Sequence, residues 1–530
     1  MTYCSLAFAV FVVIALLIYY LIPKKYQWLV LLCGSIVFYL FSGVKYIFYV
    51  LATALFTFVA AILSYNSKKN FSEKLEQLKE TCSKDEVRAA VKKNDRKVRA
   101  FMVASVLFDL GILVVLKYTD FVLTNLNSFL PEASQIPMFS FILPLGLSFY
   151  TFSAVGYVVD VGRGKYAPEK NFFKFLLYLT YFPQIIQGPI PRFDLLAPQL
   201  FEGHKVDFNN LRNGYQLVLW GLFKKLLIAD SVAAIVGGML KDTTVCSGLE
   251  IWIGMFVWGI QLYADFSGGI DVSRGVSQMF GITMDINFKR PYFATDLTDY
   301  WNRWHISLGN WLKDYFFYPI ALSKWFAKVN KATKKKFGKF IAKTVPVGIL
   351  SLFLFIIIGI WHGANWGEVL FGVFNGVIVL ISTLCEPLYV KIRKLLHMDE
   401  LFFFRIFRSV RTFLIITLAR VISLPANIQI AGGMYLAMFG AKSSEVPFFK
   451  MTGQLMHPGD FVQYIPAVIG CVVLFAVSLI EEKGHSVRDL INAKPMAVRV
   501  IAASLCTVAI LLFGAYGIGY VASNFIYGNY

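Results

Sequence analysis

The chain has 530 residues with a mean hydropathy of +0.61, and 57% of the residues are hydrophobic while 16% are charged. Soluble domains carry about 25% charged residues, so this composition excludes a soluble enzyme, a disordered chain and a fibrous protein, and it predicts an all-α, multi-pass membrane protein. The net charge of +19 lies mostly in residues 64–100 and 323–343, which is typical of cytoplasmic loops and argues against a nucleic-acid partner.

Apolar runs that could cross a bilayer follow one another along the whole chain. A span needs about 20 apolar residues, with some latitude for tilt. The runs lie at residues 5–22, 27–42, 46–63, 101–117, 139–160, 214–238, 250–264, 345–361, 367–385, 407–428, 464–480 and 497–522. Because several runs are short, we expect about eleven to thirteen transmembrane helices. Residues 1–495 form the predicted core, and residues 496–530 a final transmembrane helix with a tail.

The distribution of Lys and Arg predicts the orientation of the chain. Lys24 and Lys25 place the first turn inside, so the N-terminus is expected outside. The first run lacks a charged leader and a cleavage site, which favours an uncleaved span. Residues 64–100 hold eleven Lys/Arg against six Asp/Glu and are predicted to be a cytoplasmic basic loop containing a helix. Basic residues within 481–499 place the tail outside the membrane.

Two segments do not fit simple spans. Residues 182–192 contain three prolines and a glycine, so they cannot form a straight lipid-facing helix and are predicted to be re-entrant and to line a cavity. Residues 263–320 are too polar to span the membrane and too aromatic for a loose loop, so they form a predicted partly inserted region. Within them, five residues share one face of a predicted amphipathic helix: Trp301, Trp304, His305, Leu308 and Leu312.

A charge-free run over residues 345–361 ends at His362 and Gly363. A straight helix from Val345 would carry His362 about 26 Å, at 1.5 Å per residue, which is deep into a bilayer entered from the inside. Gly363 would let the backbone break beside this histidine. The sequence therefore predicts that His362 lies at the end of a membrane helix.

His305 and His362 are the candidate catalytic residues among six histidines, because both stand next to Trp in apolar surroundings. Ionisable groups inside membrane segments are costly, which makes them functional hypotheses. Burial favours neutral imidazole, which can take a proton from a hydroxyl. A purely packed histidine and a metal ligand are the alternatives. The spacing is poor for metal and the seven cysteines are scattered, so we expect neither a metal site nor a permanently bound cofactor.

Residues that could support the two histidines lie in the same segments. The candidate substrate-binding residues are Trp301, Trp304, Asn310, Trp361, Asn365, Arg303 and Asp265. The tryptophans are expected to wall a cavity or to pack. Asp265 is expected to form a structural ion pair with Arg303 or Arg274. Arg420 lies inside an apolar run, so it should have an interior partner, either a carboxylate or a donor phosphate.

Four segments, at residues 187–192, 263–268, 301–308 and 361–366, resemble in this order the membrane-bound O-acyltransferase family. The resemblance is to its bacterial branch of alginate O-acetylation and teichoic-acid D-alanylation proteins. It implies a horseshoe of spans around a pinched core, and a thioester donor that reaches an acceptor hydroxyl across the membrane. It also implies that His362 matches the near-invariant catalytic histidine and His305 the assisting one.

The tail at residues 524–530 resembles the Phe-Ile-Tyr ending of alginate-type members, although its last residue, Tyr530, departs from the usual Phe. It also resembles the small single-span partner of the D-alanylation system. The resemblance implies that Tyr527 carries the acyl group outward as a relay. The alternative is an interfacial aromatic anchor, which is a common role for tyrosine.

These observations give a functional hypothesis: an O-acyltransferase of the bacterial cytoplasmic membrane. A cytoplasmic thioester, acetyl-CoA or an acyl-carrier protein, would donate an acetyl group with His362 as general base. Lys-rich loops on the inner face suit such an anionic donor. The family implies, as a partner, a membrane-anchored extracytoplasmic serine acyltransferase of the SGNH type, and as acceptor a cell-envelope polysaccharide. The alternatives are D-alanyl transfer to teichoic acid and a proton-coupled transporter of a polar lipid or sugar.

Overall fold

A computed structural model of the chain describes residues 2–41, 43–241, 246–398, 401–425, 427–440 and 461–516. Every regular element in these residues is helical, which confirms the predicted all-α class. The chain divides into two compact units. One comprises Met1–Tyr215 with Ser273–Asp285, and the other comprises Gln216–Val272 with Ile286–Tyr530.

The first unit is built from helices that follow one another from the N-terminus, the ninth of which continues into the second unit. They are α1 (Leu6–Leu21), α2 (Gln27–Leu40), α3 (Ile47–Thr81), α4 (Lys84–Asn127), α5 (Leu147–Arg163), α6 (Phe172–Thr180), α7 (Phe182–Ile185), α8 (Phe193–Glu202) and α9 (Phe208–Leu222). The long helices α3 and α4 pack against each other and against α5.

Residues 64–100 differ from the predicted loop. They extend α3 and α4 as a helical hairpin, with only Cys82 and Ser83 between the two helices. The turn is defined by a capping box, in which the Ser83 backbone N–H donates to Glu86 Oε2 at 2.8 Å and Ser83 Oγ accepts from the Glu86 backbone N–H at 3.4 Å. Lys, Glu and Ala favour helix, so the charged segment continues the apolar helices instead of interrupting them.

The proline-rich segment after α6 contains only the four-residue helix α7 and is otherwise irregular, so it forms no straight helix, as the sequence predicts. Most of it is buried. Side chains satisfy its backbone: Tyr3 Oη donates to the Pro183 carbonyl at 2.7 Å, and the Phe182 N–H donates to Ser35 Oγ at 3.1 Å. Non-helical backbone in an apolar setting needs such internal partners. Residues between Gln184 and Arg192 also line a small cavity of about 30 Å³.

The second unit contains the remaining helices. They are α10 (Asp230–Lys241), α11 (Gly248–Met279, whose last turns belong to the first unit), α12 (Leu297–Arg303), α13 (Ile306–Leu312), α14 (Tyr318–Ala321), α15 (Lys324–His362), α16 (Trp366–Leu395), α17 (Phe402–Ser423), α18 (Ile428–Met438), α19 (Phe461–Glu482), α20 (Val487–Asn492) and α21 (Met496–Phe513). Helix α15 is interrupted at Gly338, whose φ is +83°, and is then regular through Val345 to His362.

The described residues include six helices that are long and apolar enough to cross a membrane. These helices are Val44–Thr81, Lys84–Asn127, Lys324–His362, Trp366–Leu395, Tyr464–Glu482 and Met496–Phe513, and Leu6–Leu21 and Ile428–Met438 are shorter apolar helices. The chain is therefore a multi-pass membrane protein. The larger number of spans, the horseshoe arrangement and the inside–outside orientation stay predictions.

Helices α15 and α16 pack closely because glycines face backbone atoms across their contact. A Cβ at Gly359 would overlap the Glu368 carbonyl oxygen, and one at Gly372 would overlap the Phe355 carbonyl oxygen. Small residues let membrane helices approach in this way. Since Gly359 lies three residues before His362, this contact also sets the position of the histidine.

We expect Gly359→Ala to destabilise the protein, because the added methyl group must push α16 away from α15. Inserting a methyl into a tight contact typically costs about 1–3 kcal/mol. The measurement is thermal unfolding in detergent. The control is Gly432→Ala in α18, where nothing lies within 4 Å of the added carbon; alanine favours helix there, so the unfolding temperature should stay the same or rise. Equal unfolding temperatures for Gly359→Ala and wild type would contradict the expectation.

Candidate active site

His362 is the last residue of α15 and is buried, with 2% of its surface exposed. The helix ends here because Gly363 is extended. The next helix, α16, begins at Trp366 and is capped by Asn365, whose Oδ1 accepts the Glu368 N–H at 2.9 Å. The imidazole lies against Trp361 and Phe371, with ring centroids 5.0 and 6.2 Å away. The predicted helix end at His362 is therefore confirmed.

His305 lies between α12 and α13 and is also buried. The single amphipathic helix predicted from Trp301 to Leu312 is wrong. His305 has φ +47° and ψ +53°, a left-handed conformation that ends one helix and starts another. This arrangement is held by Asn287, whose carbonyl accepts the Ile306 N–H at 3.0 Å and whose side chain accepts the Ser307 N–H at 2.9 Å.

Both histidines line one cavity of about 200 Å³ in the second unit. Most of the wall is apolar or aromatic, and it includes Trp301, Trp304 and Phe355. Trp361 lies beside both imidazoles, because its ring centroid is 5.8 Å from that of His305 and 5.0 Å from that of His362. The structure thus brings together two residues that are 57 positions apart in the sequence.

The His305 ring is uncharged at physiological pH. It lies outside the candidate spans, and burial lowers the pKa of His305 to about 3. A neutral imidazole has one nitrogen that donates a hydrogen bond and one that accepts. The cavity therefore offers hydrogen-bonding chemistry at His305 without a fixed positive charge.

Trp301 and Trp304 serve both as cavity wall and as packing. Trp301 Nε1 donates to Asn375 Oδ1 at 3.3 Å, and its ring packs against Phe355 with centroids 5.4 Å apart. Trp304 is 1% exposed and stacks on Tyr300 at a centroid distance of 5.7 Å. The two readings that the sequence left open for these side chains are therefore compatible.

Five of the seven predicted binding residues are missing from the described lining of this cavity. One is Trp361, which packs beside both imidazoles instead. Asn310 is exposed on α13, and Asn365 is an exposed cap of α16. Arg303 pairs with Asp299 at 2.7 Å and with Glu482 at 2.9 Å. The fifth residue is Asp265.

Asp265 forms the predicted structural ion pair, and the partner that the structure shows is Lys225 at 2.5 Å, which the sequence did not predict. Lys225 lies in a π-helical turn, Phe223–Ala229, and also contacts Asp230 at 2.8 Å. Helix α11 faces this turn, which brings the lysine to the aspartate. All three side chains are buried, and the lysine offsets part of the negative charge of the two carboxylates.

Arg420 has the carboxylate partner that the sequence left as one of two alternatives. Its Nη1 lies 3.7 Å from Glu368 Oε2, and its guanidinium is 3.9 Å from the Phe371 ring centroid. Both Arg420 and Glu368 are buried. Because Glu368 belongs to the first turn of α16 and Phe371 contacts His362, the arginine fixes the helix that supports the histidine.

Asn287 and Lys313 are polar residues at the site that were not predicted as site residues. Asn287 contacts His305, although it lies on an irregular segment with no motif that marks it. Lys313 lines the cavity, where its Nζ donates to Asn302 Oδ1 at 2.9 Å, and burial lowers the pKa of this lysine. The third predicted catalytic residue, Tyr527, lies outside the described residues.

The fold and the cavity define a multi-pass membrane protein with two buried imidazoles at one cavity. The family model of the membrane-bound O-acyltransferase family matches residues 51–333, which include His305 and end before His362. The chain therefore belongs to this family and is an O-acyltransferase.

Several relatives are similar to this chain over about half of its length or more. It is 28% identical to a probable alginate O-acetylase of Azotobacter vinelandii, over 80% of this chain and 74% of that protein. It is 28% identical to a peptidoglycan O-acetyltransferase of Helicobacter pylori, over 67% and 64%. It is 27% identical to a teichoic acid D-alanyltransferase of Streptococcus thermophilus, over 45% and 56%.

Proposed function

We propose that this O-acyltransferase moves an acetyl group from cytoplasmic acetyl-CoA towards a cell-envelope polysaccharide, with His362 as the general base. The observation that carries the proposal is the cavity of about 200 Å³ that both buried histidines line. The choice of an acetyl group, and of a polysaccharide as acceptor, comes from the relatives that are named for acetylation of alginate and of peptidoglycan.

The chemistry follows from the two imidazoles. His362 takes the proton of an acceptor hydroxyl as its oxygen attacks the thioester carbonyl carbon. The new C–O bond forms, the C–S bond breaks, and the proton passes from His362 to the leaving thiolate. The products are an acetyl ester and a free thiol. His305 assists from the same cavity as a neutral ring.

The donor is proposed to enter from the side where Lys residues are concentrated. Residues 323–343 hold eight Lys and no acid, and they lie on α15, the helix that ends at His362. The phosphates of CoA suit such a basic segment. We place the protein in the bacterial cytoplasmic membrane, as for the bacterial branch that it resembles. The positive-inside rule then places its N-terminus and C-terminal tail outside.

The first acceptor is proposed to be the phenol of Tyr527, in the tail that charge places outside. A membrane-anchored extracytoplasmic serine acyltransferase would then take the acetyl group from this tyrosine to the polysaccharide. The relay is needed because the donor is confined to the cytoplasm, whereas the polysaccharide lies outside. An acetylated tyrosine would carry the acetyl group covalently on the outer side. Because the chain belongs to a family of acyltransferases, we no longer propose the alternative of a transporter.

D-alanyl transfer from a carrier protein to teichoic acid is the second candidate, because a D-alanyltransferase is among the relatives. That likeness covers 45% of the chain, whereas the likeness to the alginate O-acetylase covers 80%. The difference favours acetyl transfer.

We expect the purified protein to release CoA from acetyl-CoA in detergent and to gain one acetyl group on the tail peptide. Thiol release and intact mass measure these two events, and a D-alanyl-loaded carrier protein is the competing donor. Tyr527→Phe should remove the mass adduct while acetyl-CoA still binds. Acylation by the carrier protein alone would support the second candidate, and an undiminished adduct in Tyr527→Phe would reject the relay.

A further inference from the structure

Asn287 makes several contacts around His305 that have no role in the proposed reaction as described above. Its side chain is fully buried, and it lies against the His305 imidazole and against Ser307, both of which are also buried. All three residues belong to the second unit. The contacts fix not only the place of the imidazole but also which of its nitrogens carries hydrogen.

The Ser307 backbone determines which way the Asn287 amide points. The Ser307 N–H lies 2.9 Å from Asn287 Oδ1, and a peptide N–H can only donate, so the atom at this position must be the oxygen. Ser307 Oγ donates to the same oxygen, also at 2.9 Å. A carbonyl oxygen has two lone pairs, and these two donors occupy both.

The amide orientation in turn determines the state of the ring. His305 Nδ1 lies 3.3 Å from Asn287 Nδ2 and 3.4 Å from Oδ1. Since Oδ1 already accepts two hydrogen bonds, the favourable bond is from the Nδ2 hydrogen to Nδ1. A neutral imidazole that accepts at Nδ1 carries its hydrogen at Nε2. The low pKa of His305, which burial brings to about 3, keeps the ring neutral.

The backbone gives independent support. His305 has φ +47°, a left-handed conformation that is unfavourable for a residue with a side chain. Asn287 holds the next residue as well, because its carbonyl oxygen accepts the Ile306 N–H at 3.0 Å. One asparagine thus fixes the chain after His305 through its main chain and the ring through its side chain. Unfavourable conformations persist where surrounding structure enforces them, often at functional sites.

We propose that Asn287 is a positioning residue that holds His305 as the Nε2–H tautomer, which makes His305 a hydrogen-bond donor in the cavity and leaves proton abstraction to His362. This inference rests on the proposed function. As the acceptor hydroxyl attacks the thioester, the carbonyl oxygen gains negative charge, and the Nε2–H of His305 stabilises it. The hydroxyl proton goes to His362 and then to the thiolate, while His305 keeps its hydrogen throughout.

The tautomer is measured by ¹⁵N NMR of the full-length protein in detergent, labelled at histidine. The signal lost in His305→Gln assigns the ring, and His397→Gln is the matched control at an exposed histidine. We expect a neutral ring with hydrogen at Nε2 in wild type. Hydrogen at Nδ1 in wild type would overturn the assignment. Because this measurement uses the wild-type protein, it does not depend on whether an Asn287 variant folds.

The role in transfer is measured with Asn287→Asp. Its carboxylate accepts a hydrogen bond from Nδ1–H, so the tautomer should reverse while His305 itself remains. We expect kcat for acetyl transfer to fall about 10²- to 10³-fold, the usual effect of losing one such donor, with KM for acetyl-CoA little changed. A reversed tautomer with wild-type kcat would overturn the role.

The same experiments separate this inference from the proposed function. Undiminished acetyl transfer by His362→Ala rejects His362 as the base of the proposed function. It leaves the ¹⁵N result for His305 untouched. Conversely, wild-type protein that transfers acetyl groups with an Nδ1–H ring at His305 rejects only the role of Asn287.

Discussion

Replacing His362 with alanine is expected to lower acetyl transfer about 10²- to 10⁴-fold, the usual contribution of a general base. The side chain is buried at the end of α15 and lines the cavity that His305 shares. Its loss removes the group that takes the hydroxyl proton but leaves the helix contact at Gly359 in place. The measurement is CoA release by purified protein under single-turnover conditions.

The control for His362→Ala is His485→Ala. His485 is exposed after α19, so this variant should keep wild-type transfer. His362→Ala should remain folded, since an alanine is a good residue at the end of a helix. His485→Ala should unfold at the wild-type temperature, because the side chain that it removes is exposed. Transfer by His362→Ala at the wild-type rate would contradict the assignment of the base.

Replacing Lys225 with methionine is expected to have the largest effect on stability. It would leave two buried carboxylates, Asp265 and Asp230, next to each other without the lysine that lies 2.5 and 2.8 Å from them. Removing one partner of a buried ion pair typically costs roughly 3–5 kcal/mol. Thermal unfolding and the yield of folded protein in detergent report the loss.

A triple variant separates charge from packing at this cluster. In Lys225→Met with Asp265→Asn and Asp230→Asn, all three charges are gone. Replacing every member of a buried ion group with uncharged residues often changes the free energy of unfolding little. We expect the triple variant to recover much of the stability lost in Lys225→Met. A triple variant as unstable as the single one would show that the lysine acts through packing instead.

The position of His362 could be predicted because it depends on local sequence. A charge-free run reveals the helix, and Gly363 after the histidine reveals its end. The sequence also predicts that Arg420 has an interior partner, since a charge inside an apolar run is costly. The identity of this partner could not be predicted, because the carboxylate that Arg420 contacts belongs to Glu368, 52 residues earlier in the chain.

What could not be predicted from the sequence concerns backbone breaks and distant partners. The left-handed conformation of His305 has no local signal, because its neighbours continue the helical spacing of apolar residues on both sides. It is enforced by Asn287, from a separate segment. Likewise, Asp265 meets Lys225 because α11 packs against a π-helical turn, and spacing along the chain gives no access to that contact.

The central claim is that the thioester reacts in the cavity lined by His305 and His362. Electron cryo-microscopy of the protein with a non-hydrolysable thioether analogue of acetyl-CoA tests it most directly. The account predicts the acetyl end of the analogue in this cavity, within hydrogen-bonding reach of the His362 imidazole. An analogue bound with its acetyl end in another part of the protein, and His362 still enclosed by side chains, would contradict it.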